Sequence, residues 1–113
     1  MKLKIIGRPI SKKNNRRNFR NISLPPKAYG PFEKSAVQQL SIYNIKYTGL
    51  LKVHYVFHMK GRLDTDVDNM MAGINDVLQV AGIIENDKFI IDGTFKKVAG
   101  CTDWLTEVEI HQI

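Results

Sequence analysis

The segment that most constrains the fold runs from Leu51 to Val98. Leu51, Val53, Tyr55, Phe57 and Met59 alternate with Lys52, His54, Val56 and His58, the two-residue period of a half-buried strand. Asp64-Thr65-Asp66-Val67-Asp68 follows, and Met70, Met71, Ile74, Val77, Leu78 and Ala81 then recur at helical spacing. Asp68 is placed to cap that helix and Gly82 to stand just beyond its end. Gly73 inside the stripe is a poor helix former. The chain turns through Ile83–Asp87 into a second strand pattern over Lys88–Val98. Strand, helix and strand at this spacing predict a parallel pair joined by a right-handed crossover, expected to return Asp87 to the region of Asp64–Asp68.

The remaining pattern fits around this unit. Leu3–Ile6 reads as a short strand ended by Gly7 and Pro9, and Phe32, Ala36, Leu40 and Tyr43 line one face of a helix that Pro31 opens. In the last strand, Trp104, Thr106, Val108 and Ile110 face one way, and Leu105, Glu107, Glu109 and His111 the other. Trp104, Met70 and Met71 read as core. Residues of about 8–30 are rich in Pro, Asn and Arg without periodicity, and are expected to form a long basic loop that orders on a ligand. The fold expected is α/β: a single domain over residues 1–113, a small mixed sheet with two helices packed on one face. At 113 residues such a chain has little depth for an enclosed substrate pocket, which favours an open groove or a dimer.

The formal charge of +6 conceals a division. Residues 1–62 hold 14 Lys and Arg against one acid, Glu33, whereas residues 63–113 hold three lysines against ten acids. A basic half joined to an acidic half suits a polyanion on one surface and a cation on another, and nucleic acid with a divalent metal is the economical pair. Lone Cys101 forms no internal disulfide, no apolar run reaches the ~20 residues of a membrane span, and a cytoplasmic protein without a membrane partner is expected.

Three carboxylates at alternate positions, Asp64, Asp66 and Asp68, are costly to ionise together unless something compensates. An EF-hand loop is one reading, but Asn69 stands where its turn glycine belongs and Asn75 where its bidentate glutamate belongs. Decoration of a helix N-terminus is a second, although capping needs one acid rather than three. The third is a Mg²⁺ site of the phosphodiesterase kind, with open positions for water and a phosphate oxygen. His54 and His58 lie about 13 Å apart along one strand face, too far to share a metal.

Asp66-Val67-Asp68-Asn69, Asn75-Asp76-Val77-Leu78, Ala81-Gly82 and Asn86-Asp87 before Ile90-Ile91-Asp92 resemble, in order and spacing, the RusA family of Holliday-junction resolvases. The basic Pro9-Ile10-Ser11-Lys12-Lys13-Asn14-Asn15-Arg16 is similar to that family's N-terminal loop. The resemblance implies a homodimeric, Mg²⁺-dependent endodeoxyribonuclease, with Mn²⁺ as an alternative ion, that cuts a four-way DNA junction symmetrically. It assigns catalysis and metal binding to Asp66, Asp68 and Asp87; beside them Asp64, an extra acid near the motif, Asn69, and Asp76, placed to orient the helix or bind a basic side chain, are expected in supporting roles. A lysine common in the family falls where this chain has Ala72, and Lys60, Lys88 and Lys96 are candidates to replace it.

In the basic half, Lys12, Lys13, Arg16, Arg17 and Arg20 have the charge to bind phosphates, and Asn14 and Asn15 can donate to phosphate or base edges. Phe19 is either a stacking residue at the centre of a junction or an anchor of the loop. A junction is cut at two equivalent phosphates, so a chain with one acidic cluster needs a two-fold partner. The competing reading is a non-catalytic module for branched nucleic acid, supported by Ala72; a nuclease for other branched DNA or RNA is a third.

Overall fold

A computed structural model describes residues 1–12 and 17–113, and of Arg17–Phe19 the backbone only. In chain order the elements are β1 (Lys2–Ile6), β2 (Arg17–Phe19), β3 (Ile22–Leu24), α1 (Tyr29–Leu40), β4 (Leu51–Lys60), α2 (Val67–Val80), a 3₁₀ turn (Asp87–Phe89), β5 (Ile90–Cys101) and β6 (Leu105–Gln112). The main sheet has the order β1-β6-β4-β5, with β4 and β5 parallel and the other pairs antiparallel. This is the mixed sheet with two helices that the sequence predicts.

The core lies between one sheet face and the helices. Every odd-numbered residue of β4 from Leu51 to Met59 is buried, joined by Leu3 and Ile5 of β1 and by Thr106, Val108 and Ile110 of β6. The helices contribute Phe32, Ala36 and Leu40 from α1, and Met70, Ile74, Val77 and Leu78 from α2. Met71 and Trp104 pack against this cluster only partly buried, so of the three residues read as core only Met70 is fully enclosed. The opposite sheet face is uncovered and carries Lys52, His54 and His58 of β4, with Glu107 and Glu109 of β6, all half-buried or exposed.

Several boundaries differ from expectation for identifiable reasons. The α1 helix begins at Tyr29, making Pro31 its third residue; the first amides of a helix have no acceptor within it, so proline is tolerated there. Leu40 ends that helix, and Tyr43 lies beyond it, its hydroxyl accepting from the Lys4 amide at 3.1 Å. Asp66, not Asp68, caps α2: its backbone is extended and its carbonyl accepts from the Met70 amide at 3.1 Å, which leaves Asp68 in the first turn. At the other end Ile83 donates to Leu78 O and Gly82 to Gln79 O, each at 3.0 Å, a Schellman closure with Gly82 where expected. Lys88 and Phe89 belong to the 3₁₀ turn and not to a strand. The stretch read as one long loop contains the β2–β3 hairpin, with Phe19 paired to Ile22 across Arg20-Asn21. Both turn residues have positive φ, 48° and 64°, as a two-residue hairpin turn of the primed type requires.

Candidate metal centre and nucleic-acid surface

Parallel pairing of β4 and β5 determines which end of the sheet is which. Residues 61–66 leave the C-terminal end of β4, and the Gly61 carbonyl accepts from the Gly100 amide at 2.9 Å, so the β5–β6 turn lies at the same end. The last residues of β1 join them, because Ile6 pairs with Leu105 and Gly7 donates to Trp104 O at 3.0 Å. Strand ends of this kind, facing a helix N-terminus, are where open α/β sheets bind ligands.

Asp64, Asp66 and Asp68 are all exposed here. The Asp66 side chain makes no capping hydrogen bond, and among the described residues no ion pair involves any of the three. Two cations hold the loop, but through neutral oxygens. An Arg8 guanidinium nitrogen donates to Thr65 Oγ1 at 3.0 Å. Lys97 Nζ donates to the Thr65 carbonyl at 2.8 Å and lies 3.5 Å from that of Leu63. Positive charge is thus brought to the residue between Asp64 and Asp66, while the three acids are exposed.

Lys97 is the residue that the sequence reading missed. Lys96 pairs with Val56, on the uncovered face of the sheet, whereas Lys97 pairs with Phe57 on the helix side. Lys88 sits before β5 with Nζ 5.3 Å from the centroid of the Phe89 ring, and Lys60 ends β4. None of the three expected replacements makes the contact that Lys97 makes. Strand parity in the sequence puts Lys96 and Lys97 on opposite faces of β5, but only the register of β5 against β4 shows which of them faces the helices.

The start of the basic segment is strapped along α2. After Arg8, the Ile10 backbone lies directly on Gly73: a Cβ there would fall 2.7 Å from Ile10 O. Ser11 is buried, and the Lys12 amide donates to Asp76 Oδ2 at 3.2 Å. Gly73, unfavourable for helix propensity, is therefore what lets another backbone approach. Asp76 anchors the basic segment through this backbone amide. Lys12 Nζ lies 5.7 Å from the centroid of the Tyr29 ring; burial first, and then the Glu33 carboxylate, push that phenol far above its ordinary pKa. A cavity of about 260 Å³ between strap and helix is lined by Arg8, Ser11, Pro26, Thr65 and half-buried Asn69. Arg20 is exposed at the hairpin tip. Lys13, Asn14, Asn15 and Arg16, and the side chains of Arg17 and Phe19, lie outside the described residues.

Asp87 is not brought to Asp66 and Asp68. It precedes Ile90, which pairs with Leu51 at the N-terminal end of β4, whereas the acidic loop follows Lys60 at the other end. Its amide lies 3.3 Å from Gln79 Oε1, in the last turn of α2, and Gln79 is roughly 16 Å along the helix from Asp68 by the standard rise. Ligands of one Mg²⁺ ion stand about 2.1 Å from it, so within one chain these acids cannot share an ion. The topology explains why: a crossover restores strand direction, and a strand that starts beside its partner's start puts its first residues opposite its partner's last. Its charge is felt instead at Tyr55, whose hydroxyl donates to Asn75 Oδ1 at 2.7 Å. Burial, opposed by that bond and assisted by the Asp87 charge, pushes the Tyr55 phenol up to about 12.

On the uncovered face, His58 Nε2 lies 2.7 Å from Glu107 Oε1, and His54 Nδ1 2.6 Å from Thr94 Oγ1. The bond from His58 is the main cause holding the Glu107 carboxyl below its ordinary value. No helix among the described residues is long and apolar enough to cross a membrane. Comparison with protein-family models and with curated protein sequences finds no match to this chain.

Proposed function

We propose that the chain is a Mg²⁺-dependent endodeoxyribonuclease of branched DNA that resolves four-way junctions by paired symmetric cuts, as its resemblance to the RusA resolvases suggests. The observation that carries this reading is the exposed Asp66 and Asp68 pair at the N-terminus of α2, beside Lys97 and Arg8, which leave its oxygens unneutralised. Mg²⁺ is ordinarily held by one or two carboxylates plus waters and substrate phosphates, and this donor set fits that demand without Asp87. A bound ion would polarise the scissile phosphate and lower the pKa of an attacking water. Mn²⁺, with the same preference for oxygen, would substitute.

The chain's own groups have separate tasks. Asp66 and Asp68 supply hard oxygen ligands and Asp64 adds negative potential. Lys97 holds the loop and offsets part of its charge, the task that Ala72 cannot perform. Arg8, Lys12 and the basic residues beyond it bind phosphates of the arms. A homodimer supplies the second cutting site, and Asp87 would join the same ion only from a second copy of the chain.

The separation of Asp87 from Asp66 and Asp68 favours one other reading, a non-catalytic module that binds branched nucleic acid. Magnesium titration of a labelled junction with wild type and Asp68→Asn separates the two. Cutting by wild type that requires Mg²⁺ and falls at least 100-fold in a folded, DNA-binding Asp68→Asn supports the nuclease. Binding without cutting by wild type supports the module.

A further inference from the structure

A cavity of about 450 Å³ opens at the same end of the sheet as the acidic loop, within the range of about 300–1,000 Å³ usual for small-molecule sites. Ile6, Trp104 and Leu105 give it apolar surface, with Lys4, His58 and Cys101 around them and Asp103 in the adjoining turn. The Gln39 amide also forms part of the wall, but its groups are engaged: Oε1 accepts from the Ile6 amide at 2.7 Å, and Nε2 donates to Ile6 O at 2.9 Å and Ser35 Oγ at 3.1 Å. The cavity thus offers the Trp104 indole, against whose ring the Arg8 guanidinium also lies, and Lys4 beside it, with its amide already committed.

Arg8 connects the cavity to the acidic loop. Its guanidinium carbon is 5.4 Å from the centroid of the Trp104 ring, and one of its nitrogens donates to Thr65, the residue between Asp64 and Asp66. A strand whose phosphate lay at Asp66 and Asp68 would pass Arg8 and present its next base or two at the cavity.

We propose that this cavity receives an unpaired nucleotide of the bound DNA strand, its base stacking on the Trp104 indole while Arg8 and Lys4 contact the flanking phosphates. Recognition is tolerant of base identity, because stacking reads a π-face that every base has. The inference rests on the nucleic-acid reading above and deepens it: the site selects DNA that has an unpaired nucleotide near the cut.

Trp104 is the only tryptophan of the chain, so its fluorescence reports on the cavity directly. The probes are a short single-stranded oligothymidylate and an abasic oligomer of equal length and charge, each titrated against wild type and against Trp104→Leu, which keeps apolar packing. The expected results are quenching of wild-type fluorescence by the base-bearing strand alone, and slower modification of the Cys101 thiol in that complex. The base-bearing strand should bind wild type about tenfold tighter than the abasic one, an advantage lost in Trp104→Leu. Arg8→Gln, which leaves the cavity in place, should weaken both strands. Equal quenching by the two strands, or an unchanged preference in Trp104→Leu, overturns the cavity assignment while leaving DNA binding intact. Failure of both strands and of duplex to bind overturns the nucleic-acid reading and this inference with it.

Discussion

Gly73→Ala tests how the basic segment is fastened. On helix propensity alone, alanine at an interior position of α2 should stabilise by about 1 kcal/mol. The structure opposes this: the new Cβ would lie 2.7, 2.8 and 3.0 Å from Ile10 O, C and N, backbone atoms that cannot rotate aside. If the strap stays, overpacking costs about 1–3 kcal/mol. If it lifts, the hydrogen bond from the Lys12 amide to the Asp76 carboxylate is lost, about 1.5–3 kcal/mol for a bond to a charged group, together with the burial of Ser11. Either route cancels or exceeds the propensity gain, leaving a net loss of about 0–2 kcal/mol. Urea unfolding should show a lower midpoint at unchanged slope, and the loss should shrink in an Asp76→Ala background, where one of the strap's bonds is already absent. A Gly73→Ala protein more stable than wild type by about 1 kcal/mol would refute the packing of Ile10 on this helix.

Gly93→Ala should be far more damaging, because its Cβ would overlap Val53 O at 1.8 Å in the middle of the β4–β5 pair; soluble yield and thermal unfolding should show loss of the fold or destabilisation of at least about 4 kcal/mol. Lys97→Met should loosen the acidic loop, seen as faster proteolysis within residues 61–66, while Lys96→Met, on the uncovered face, should not. Because the His58 bond lowers the folded-state pKa of Glu107, its contribution to stability is present above 4.5 and is lost as pH falls through the lowered value. Glu107→Gln should therefore be less stable than wild type near neutrality, the two converging in acid; a difference that grows as pH falls would contradict this.

The fold was legible where periodicity was strict. The alternation of Leu51–Met59 and the stripe from Met70 to Leu78 are recovered as β4 and α2, and their proximity in sequence implied the parallel strand that followed. The β2–β3 hairpin was hidden because its turn uses Arg20 and Asn21 at positive φ, and arginine is no ordinary signal for that conformation. The acidic loop was readable from composition. Its cationic partner was not, since choosing Lys97 over Lys96 requires the register of β5 against β4. Asp87 shows the same limitation in reverse: motif order made it one of a set, whereas a crossover of this length puts it at the far end of the sheet. Gly73, a poor helix former by propensity, is accounted for by the Ile10 backbone packed against it, a long-range contact with no local signal in the sequence.

Whether the Asp66 and Asp68 end of α2 directs metal-dependent cutting of branched DNA is read from the product pattern on an end-labelled four-way junction beside a linear duplex of the same sequence. Paired, symmetric nicks near the branch point are expected in Mg²⁺, with none on the duplex and none from Asp66→Asn or Asp68→Asn proteins that still bind the junction. Equal cutting of junction and duplex, or undiminished junction cutting by either variant, would contradict this.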